Sequence, residues 1–479
     1  MSVETLHVDG PAVHRLPPDY VSITLDTSQF IGGYWWEGSQ RIRRGVGERR
    51  VAPFDFTTPG LRRYASAIAP AVLRVGGSEA DKLYYHLGDS PVGPPPGFDY
   101  VLSRRRWDEL VEFAAGAGMR LVFTINAGPG PRGRQRRWSE TNARSLMAYA
   151  YRNGHPVVGW ELGNEINAFV VIHGLRGRVT ARRYASDFRR FRATVHEAAP
   201  GSYAAGPASA FWPVLGEFQR VTEPFLKRVD GAIDVLTWHY YPQQSDRGPF
   251  ATRRASLRAL LDPAALDDAG KVLTRLAGYR DRHSGSDVPI WLGETGNAQF
   301  GGQAGVSDRF AGTLWWIDEL GLMARHGADR VFRQTLVGAD YGLLDYRSGE
   351  PNPDYWATLI WKRLCGTEVY AVAKPRDPRV RLYALSRADG AAGIVLVAIN
   401  LNEASPRAVR VSPRLGPVQE VYSMEAESLD SRAVRVNEVE PSLELFEDRK
   451  ALLRIARRGS EGEVSLTPLS VTWMVVGEE

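Results

Sequence analysis

Hydrophobic and polar positions alternate with two different periods along residues 20 to 366. Short runs rich in β-branched and other apolar residues are followed by longer stretches in which apolar residues recur at helical spacing, as Phe310, Leu314 and Ile317 do. The short runs predict eight strands: VSITLD (21–26), VLRVGG (72–77), RLVFTIN (120–126), VVGWELGN (157–164), YAAGPA (203–208), VLTWHYY (235–241), PIWLGET (289–295) and VFRQTLV (331–337).

Helix-like stretches lie between these strands. The clearest are 107–118, 143–154, 181–199, 266–283 and 307–327. A strand–helix alternation is typical of a parallel α/β sheet. Eight units over about 345 residues favour a (β/α)8 TIM barrel with insertions over a doubly wound sheet, which more often has five or six strands.

The pattern changes after the helical stretch PDYWATLIWKRLCG (353–366). Strands alternating with turns follow, as in VRLYALSRADGAAGIVLVAINL, and they predict a C-terminal antiparallel β-sandwich. We therefore expect an α/β chain with a catalytic barrel over 17–366 and a β-sandwich over 367–479. A strand from residues 1–16, around ETLHV, is expected to join that sandwich.

Composition mostly excludes function classes. Sixty basic against 55 acidic residues leave a net charge of +5 in 479 residues, too little to indicate a nucleic-acid partner. Cys365 is the only cysteine, so we expect no intrachain disulfide and no cysteine-based metal centre. The chain has no 18-residue apolar run, and its start has charges and prolines in place of a signal-peptide core. We expect a soluble monomer without membrane insertion, and its compartment stays open.

Two carboxylates stand at predicted strand ends, where the reactive residues of a TIM barrel lie. Glu165 follows the fourth strand in WELGNE, and Glu294 ends the seventh in WLGET. A pair of carboxyl groups across a cleft is what glycoside hydrolysis requires, one to protonate the leaving oxygen and one to attack the anomeric carbon. The alternative, that each glutamate caps a helix or pairs with an arginine, is weak for both together.

Neighbouring strand ends offer helper groups. Asn164 could donate a hydrogen bond to a sugar 2-hydroxyl. His239 and Tyr241 end the sixth strand, where a tyrosine hydroxyl can orient a carboxylate and where His239 alone is more typical of a structural histidine. The nine histidines are scattered and form no HExxH pair, so no metal and no cofactor are expected.

Three long motifs resemble a known family. WELGNEINAF, WLGETGNAQFGGQAGVSDRFAGTLWWIDELGLMARHG and RQTLVGADYGLLDYRSGEPNPDYW are similar to heparanase and its bacterial relatives, the family 79 glycoside hydrolases of clan A. The resemblance implies a TIM barrel with a β-sandwich and retaining hydrolysis of β-D-glucuronides. It also implies that Glu165 is the acid/base and Glu294 the nucleophile, which in a retaining pair lie about 5 to 5.5 Å apart.

The same resemblance implies a glucuronate pocket. The backbone N–H groups of Gly301 and Gly302 and the hydroxyl of Tyr341 would hold the uronate carboxylate. Asp26 matches the aspartate that binds sugar hydroxyls, and Ser78 stands where heparanase has threonine.

Arginines cluster at 41–50, 103–106 and 132–137. The first and third clusters follow predicted strands one and three, so they would lie at the catalytic face and suit an acidic polysaccharide. The alternative is solvated arginine in an arginine-rich chain. The aromatic residues of these loops would suit either stacking on sugars or loop packing; they are Tyr34, Trp35, Trp36 and Trp138.

Two departures from heparanase concern specificity. Only about 20 residues separate GGSEAD from VLSRRRW, so the excisable linker is missing and no proteolytic activation is expected. After strand five, Phe211 and Trp212 replace a glutamine and an arginine pair that face sulfated substrate.

We expect an endo-β-D-glucuronidase acting on heparan sulfate-like polysaccharides. The alternatives are an exo-β-glucuronidase acting on terminal or small glucuronides and a non-catalytic polysaccharide-binding protein.

Overall fold

A closed barrel of eight parallel strands forms the larger part of the protein. The computed structural model describes residues 3–8, 10–43, 45–133, 136–459 and 462–477. The barrel strands are β1 Val21–Asp26, β2 Ala71–Gly76, β3 Met119–Ile125, β4 Val157–Leu162, β5 Tyr203–Trp212, β6 Val235–Tyr240, β7 Ile290–Thr295 and β8 Arg330–Arg333. Each pairs with its neighbours in chain order, β8 pairs with β1, and Gly216–Glu217 is added antiparallel to β5.

A helix follows each barrel strand. The helices are α1 Leu61–Ile68, α2 Arg104–Gly116, α3 Thr141–Arg152, α4 Ala181–Ala198, α5 Thr222–Val229, α6 Pro263–His283, α7 Phe310–Arg325 and α8 Pro353–Leu364. The predicted TIM barrel is therefore confirmed, with every predicted strand present. Helices α1 and α5 were not among the predicted stretches.

The inward side chains of the strands form layers. Val72, Val122 and Trp291 belong to an apolar cluster that fills the lower barrel, together with Ala205, Val235 and Phe332. Side chains two positions further along a strand point to the same face. On β2 and β3 these positions hold Arg74 and Thr124, which are buried and polar. The barrel interior thus changes from an apolar floor to a polar layer below the mouth.

The C-terminal region forms the predicted antiparallel sheet. Its strands, in spatial order, are His14–Arg15, Cys365–Tyr370, Val380–Arg387, Ile394–Asn400, Ser470–Val476, Val418–Glu425 and Arg435–Val436. A second sheet pairs Arg407–Val411 with Val3–Leu6 on one side and Glu463–Leu466 on the other. Side chains of the two sheets share an apolar core that includes Leu396, Val409 and Leu466. We propose 17–366 and 367–479, with residues 1–16 added to the latter, as the domain limits.

Helix α7 lies between the two regions. Alternate residues of Ile394–Asn400 face opposite cores: Val395 and Val397 pack into the core shared with the barrel, and Leu396 packs into the sandwich core. All residues of α7 from Phe310 to Ala324 are buried, including Asp318 and Glu319. In the described parts of the chain, no helix combines the length and apolarity needed to cross a membrane.

Short elements lie in the connections between the longer strands and helices. They comprise the helices Thr27–Ile31, Phe169–Ile172 and Arg449–Leu453, the strand pairs Tyr34–Trp35 with Arg49–Arg50, Ile42–Arg43 with Val46–Gly47 and Leu83–His86 with Tyr100–Ser103, and the 3-10 turns Ser78–Lys82, Gly130–Arg132, Ile166–Ala168, Leu175–Gly177, Arg258–Leu261 and Pro413–Leu415.

Candidate active site

The two predicted carboxylates meet at the barrel mouth. An oxygen of Glu165 and an oxygen of Glu294 lie within 4.8 Å of one another, together with a ring nitrogen of His239. Glu294 belongs to β7, and Glu165 lies three residues beyond the end of β4. Both side chains line a cavity of about 240 Å³ that opens at the ends of the barrel strands.

Arg74 on β2 positions Glu294 from below. Its Nη1 donates to Oε2 of Glu294 at 3.1 Å, and its Nε and Nη2 donate to Oε2 of Glu161 at 3.0 and 2.6 Å. The guanidinium is buried with both carboxylates, so their attraction is weakly screened. Desolvation acts against the charge of Arg74, but the two glutamates keep its pKa above its usual value.

Tyr241 and His239, at the end of the sixth strand, hold the two carboxylates. The hydroxyl of Tyr241 donates to Oε1 of Glu294 at 2.6 Å. Nδ1 of His239 lies 3.3 Å from Oε1 of Glu165 and 3.9 Å from Oε2 of Glu294. Burial, assisted by the charge of Arg74, lowers the pKa of His239 well below 6.5, so this imidazole is neutral at pH 7.

The charge balance separates the two glutamates. Burial, and then the charge of Glu294, raises the pKa of Glu165 to about 8. Burial also raises the pKa of Glu294, but Arg74 and the hydrogen bond from Tyr241 lower it. The proton of the pair therefore resides on Glu165 near neutral pH.

The backbone at Glu165 is strained. Its φ of 53° and ψ of 55° place it in the left-handed region, as does the φ of 52° at Ala208, whose carbonyl accepts from the Glu165 N–H at 3.0 Å. A non-glycine residue there costs about 1–2 kcal/mol. This conformation turns the Glu165 side chain into the cavity.

Asn164 and Asp26 lie beside the pair. Oδ1 of Asn164 accepts from Nη2 of Arg74 at 2.9 Å and from the Gly77 N–H at 3.1 Å, which leaves its Nδ2 to face the cavity. Burial, and then the charge of Glu294, raises the pKa of Asp26 to about 7. Ser78 also lines the cavity.

The predicted uronate-binding residues are divided between the cavity and its wall. Tyr341 lines the cavity, whereas Gly301 and Gly302 follow the lining residue Phe300 and do not line the cavity themselves. A Cβ added at Gly301 would stand 2.4 Å from Cβ of Trp36, so glycine is required for this contact. The N–H of Gly302 donates to the carbonyl of Ala298 at 3.1 Å. The role of both glycines in substrate binding stays a prediction.

Among the described residues, one group has ligand atoms close enough together to hold a metal ion. It consists of Glu165, His239 and Glu294. The guanidinium of Arg74, 3.1 Å from Glu294, already supplies a positive charge at this place. A cation would be repelled by it, so the arrangement suits a proton shared by two carboxylates better than a metal.

The comparisons with known proteins agree with this geometry. Residues 45–321 match the model of "Glycosyl hydrolase family 79, N-terminal domain". Heparanase-like protein 1 of Arabidopsis thaliana is 31% identical over 431 residues, which cover 86% of this chain and 75% of that protein. The chain belongs to glycoside hydrolase family 79. It is a glycoside hydrolase, as the three motifs indicated.

Two further proteins are similar to this family 79 chain. Baicalin-beta-D-glucuronidase of Scutellaria baicalensis is 27% identical over 465 residues, which cover 90% of this chain and 84% of that protein. The crystal structure of a GH51 arabinofuranosidase from Xanthomonas axonopodis pv. citri superposes with a TM-score of 0.69 at 14% identity, covering 99% of this chain and all of the other. The second likeness concerns the fold alone.

Sequence reasoning missed three polar residues of this family 79 site. Arg74 was the one charged residue in an otherwise apolar predicted strand, a signal that a buried partner must exist. Glu161 is that partner. Gln334 follows β8, and its Nε2 donates to Oδ2 of Asp26 at 3.2 Å and to the Tyr341 hydroxyl at 3.4 Å.

The arginine clusters contribute no described arginine side chain to the cavity. Ile42, Gly45 and Val46 from the first cluster line it, and the described lining contains neither lysine nor arginine. Arg44, Arg134 and Gln135 lie outside the described residues.

Some aromatic residues of these loops are buried in loop packing, and others face the cavity. Trp35 and Trp138 are fully buried, so they serve loop packing. Of the two described tryptophans after β1, Trp36 is the one that lines the cavity.

Proposed function

We propose that this family 79 enzyme is a retaining β-D-glucuronidase in which Glu165 is the acid/base and Glu294 the nucleophile. The observation that carries the proposal is the approach of their oxygens to within 4.8 Å. Carboxyl groups stand about 5 to 5.5 Å apart in retaining enzymes and about 6.5 to 9.5 Å apart in inverting ones, which must fit a water between them. The short separation supports direct attack by a carboxylate.

The environment of each glutamate supports its role. A pKa of about 8 keeps Glu165 protonated at neutral pH, as a general acid must be. Arg74 and Tyr241 stabilise the ionised form of Glu294, as a nucleophile requires. After the glycosyl-enzyme forms, the ionised Glu165 would take a proton from the attacking water.

The polar half of the cavity supports a glucuronate ring. Nδ2 of Asn164 would donate to the 2-hydroxyl, and Asp26 would bind ring hydroxyls. The hydroxyl of Tyr341, which accepts from Gln334, retains its own proton for the uronate carboxylate. Such a charge-assisted bond is stronger than a neutral one. The name of the Scutellaria relative, Baicalin-beta-D-glucuronidase, agrees with this substrate class.

The loop after β1 supports exo cleavage over the endo cleavage predicted from the sequence. Trp36 packs against Gly301, and Gly45 lies so close to Ile172 that an added Cβ would stand 3.0 Å from its Cγ1. Arg247 donates to the carbonyl of Ser39 at 2.8 Å and to that of Gly302 at 2.7 Å. The loop thus contacts loops that follow strands four, six and seven, and it closes one side of the mouth against a continuing polysaccharide.

Three measurements test the proposal. Proton NMR during hydrolysis of 4-nitrophenyl β-D-glucuronide should show β-glucuronic acid as the first product; initial α-anomer would overturn retention. Hydrolysis of 4-nitrophenyl β-D-glucoside at an equal rate would contradict a carboxylate pocket. With heparan sulfate, gel filtration should show little fall in polymer size, and a rapid fall would restore the endo prediction.

A further inference from the structure

One half of the catalytic cavity is lined by apolar side chains, four of which are exposed. They come from the end of β5 and from the loops after β4, β5, β6 and β7, and we call them the apolar mouth: Val171, Trp212, Leu215, Phe218, Phe250 and Phe300. Val171, Leu215 and Phe218 are 60%, 56% and 59% exposed, and Phe250 is 53% exposed. Single exposed apolar residues are ordinary, but a contiguous group beside a cavity marks a binding surface.

Aromatic rings extend from the depth of the cavity to its rim. The ring centroids of Trp36 and Phe300 are 5.9 Å apart, those of Phe300 and Trp212 are 5.9 Å apart, and those of Trp212 and Phe250 are 5.2 Å apart. Trp36 is buried, whereas Phe250 is exposed. The rings form a continuous wall from the polar half of the site to solvent, and a flat group can stack on such a wall.

The described arginines beside the apolar mouth are paired with aspartates. On the loop after β6, Arg247 pairs with Asp340 at 2.6 Å, Arg253 with Asp268 at 2.8 Å and Arg254 with Asp246 at 3.0 Å. No described lysine or arginine lines the cavity. A sulfated sugar in this place would give up its hydration without gaining a described cation, which is unfavourable.

We propose that the apolar mouth is an aglycone subsite for a flat, apolar alcohol, so that the preferred substrates are aromatic β-D-glucuronides. This inference rests on the proposed function, because it takes the glucuronate ring to occupy the polar half of the cavity. Glu165 lines the same cavity as the apolar mouth, so the leaving oxygen would lie between the acid and the aromatic wall.

Two glucuronides of differing apolar area test the subsite. Phenol and 2-naphthol are alcohols of similar acidity, so phenyl and 2-naphthyl β-D-glucuronide differ mainly in the area they can bury. We expect KM for the naphthyl compound to be about fivefold lower, as the added ring area predicts. Equal KM values would overturn the inference while leaving glucuronidase activity intact.

Single substitutions at the rim refine the test. In Phe218→Ser and Phe250→Ser, KM for the naphthyl glucuronide should rise about fivefold with little change in kcat, and KM for the phenyl compound should change less. Tyr151→Ser removes a ring of similar exposure, 55%, from the end of α3 and should change neither KM. An unchanged KM in both rim variants would overturn the subsite.

Binding separates this inference from the proposed function. Quenching of tryptophan fluorescence by 2-naphthyl β-D-glucuronide needs no turnover. If no glucuronide is hydrolysed, the proposed function fails; quenching that Phe218→Ser weakens would still support the apolar subsite, and absence of quenching would overturn it. Displacement of the naphthyl compound by heparan sulfate oligosaccharides at lower concentrations than its own Kd would also overturn the inference.

Discussion

Two buried carboxyl clusters in this protein each contain a glutamate whose pKa is raised to about 8, in different surroundings. At the barrel mouth, burial and the charge of Glu294 raise the pKa of Glu165 to about 8. On α7, burial and the charge of Asp318 raise the pKa of Glu319 to about 8 as well. Glu165 lines a cavity, whereas Glu319 is packed between the barrel and the antiparallel sheet. A raised pKa therefore identifies burial, and access to a cavity is what distinguishes the catalytic candidate.

The two clusters balance charge in a similar way. Asp318 on α7 accepts from Nε of Arg381 at 2.7 Å and from the hydroxyl of Tyr383 at 2.5 Å. At the mouth, Arg74 faces Glu161 and Glu294 together. Arg381 also donates to Oδ1 of Asp267 at 2.6 Å, so in each cluster one arginine is shared by two carboxylates. Access to the cavity, and not the number of cations, is therefore the difference between the two clusters.

A glutamate-to-glutamine substitution should abolish most of the activity in one cluster and leave it nearly unchanged in the other. Glu294→Gln should lower kcat/KM for phenyl β-D-glucuronide by at least about four orders of magnitude, because an amide is a poor nucleophile. Glu319→Gln is the matched control and should keep near-normal activity. Comparable losses in two correctly folded variants would remove the distinction between the clusters.

Loss of the acid should depend on the leaving group. Glu165→Gln should lower kcat for phenyl β-D-glucuronide by about 10²- to 10⁴-fold, since phenolate needs a proton to leave. The loss for 2,4-dinitrophenyl β-D-glucuronide, whose leaving group needs no proton, should be far smaller. Steady-state kinetics with the two substrates decides it, and equal losses would argue against Glu165 as the acid.

The interface cluster should be important for stability. Arg381→Met leaves Asp318 without its cation and should lower the free energy of unfolding by about 3–5 kcal/mol. Arg457→Met, which removes a pair with Glu438 at the surface, should cost less than about 1 kcal/mol. Urea denaturation measures both. Similar values would mean that the interface pair is solvated in solution.

Alkaline pH should switch off the acid. The general acid must be protonated, so kcat/KM should decline as pH rises through about 8, the pKa of Glu165. A pH profile with phenyl β-D-glucuronide tests this. If the residual activity of Glu165→Gln declines in the same way at alkaline pH, the decline belongs to another ionisable group.

Glu319 should give the smallest effect, on stability alone. Its folded-state pKa of about 8 lies above its usual 4.5, so the neutral carboxyl's contribution is complete below about pH 4.5 and is lost as pH rises toward 8. Glu319→Gln escapes that loss, so its thermal stability should exceed the wild type by more at pH 8 than at pH 5, by roughly 1–3 kcal/mol. A constant difference would show that Glu319 does not titrate in this range.

The barrel was predictable because its strands are buried on both faces and read as apolar runs. All eight predicted strands overlap the observed ones, although β5 extends to Trp212, beyond the predicted end at residue 208. Helices α1 and α5 are only eight residues long, too short for a clear repeat. Strand ends then placed Glu294 and Tyr241 without any knowledge of contacts.

Side-chain partnerships were not predictable in the same way. Arg74 and Glu161 are 87 positions apart in the chain and meet only because β2 and β4 close into one barrel. The apolar mouth was missed for a similar reason, since Val171, Phe218 and Phe250 belong to three separate loops. The arginine clusters suggested an acidic polymer, but the paired state of Arg247, which lies outside them, becomes visible only in three dimensions.

Closure of the mouth by the loop after β1 imposes an order on the reaction. A glucuronate bound below the aglycone can depart only after the aglycone has left, and water for the second step must enter through the space just vacated. An aromatic alcohol that returns to the apolar mouth would occupy the place of that water. The same wall that favours aromatic substrates would then make their alcohols product inhibitors and acceptors for glucuronate transfer.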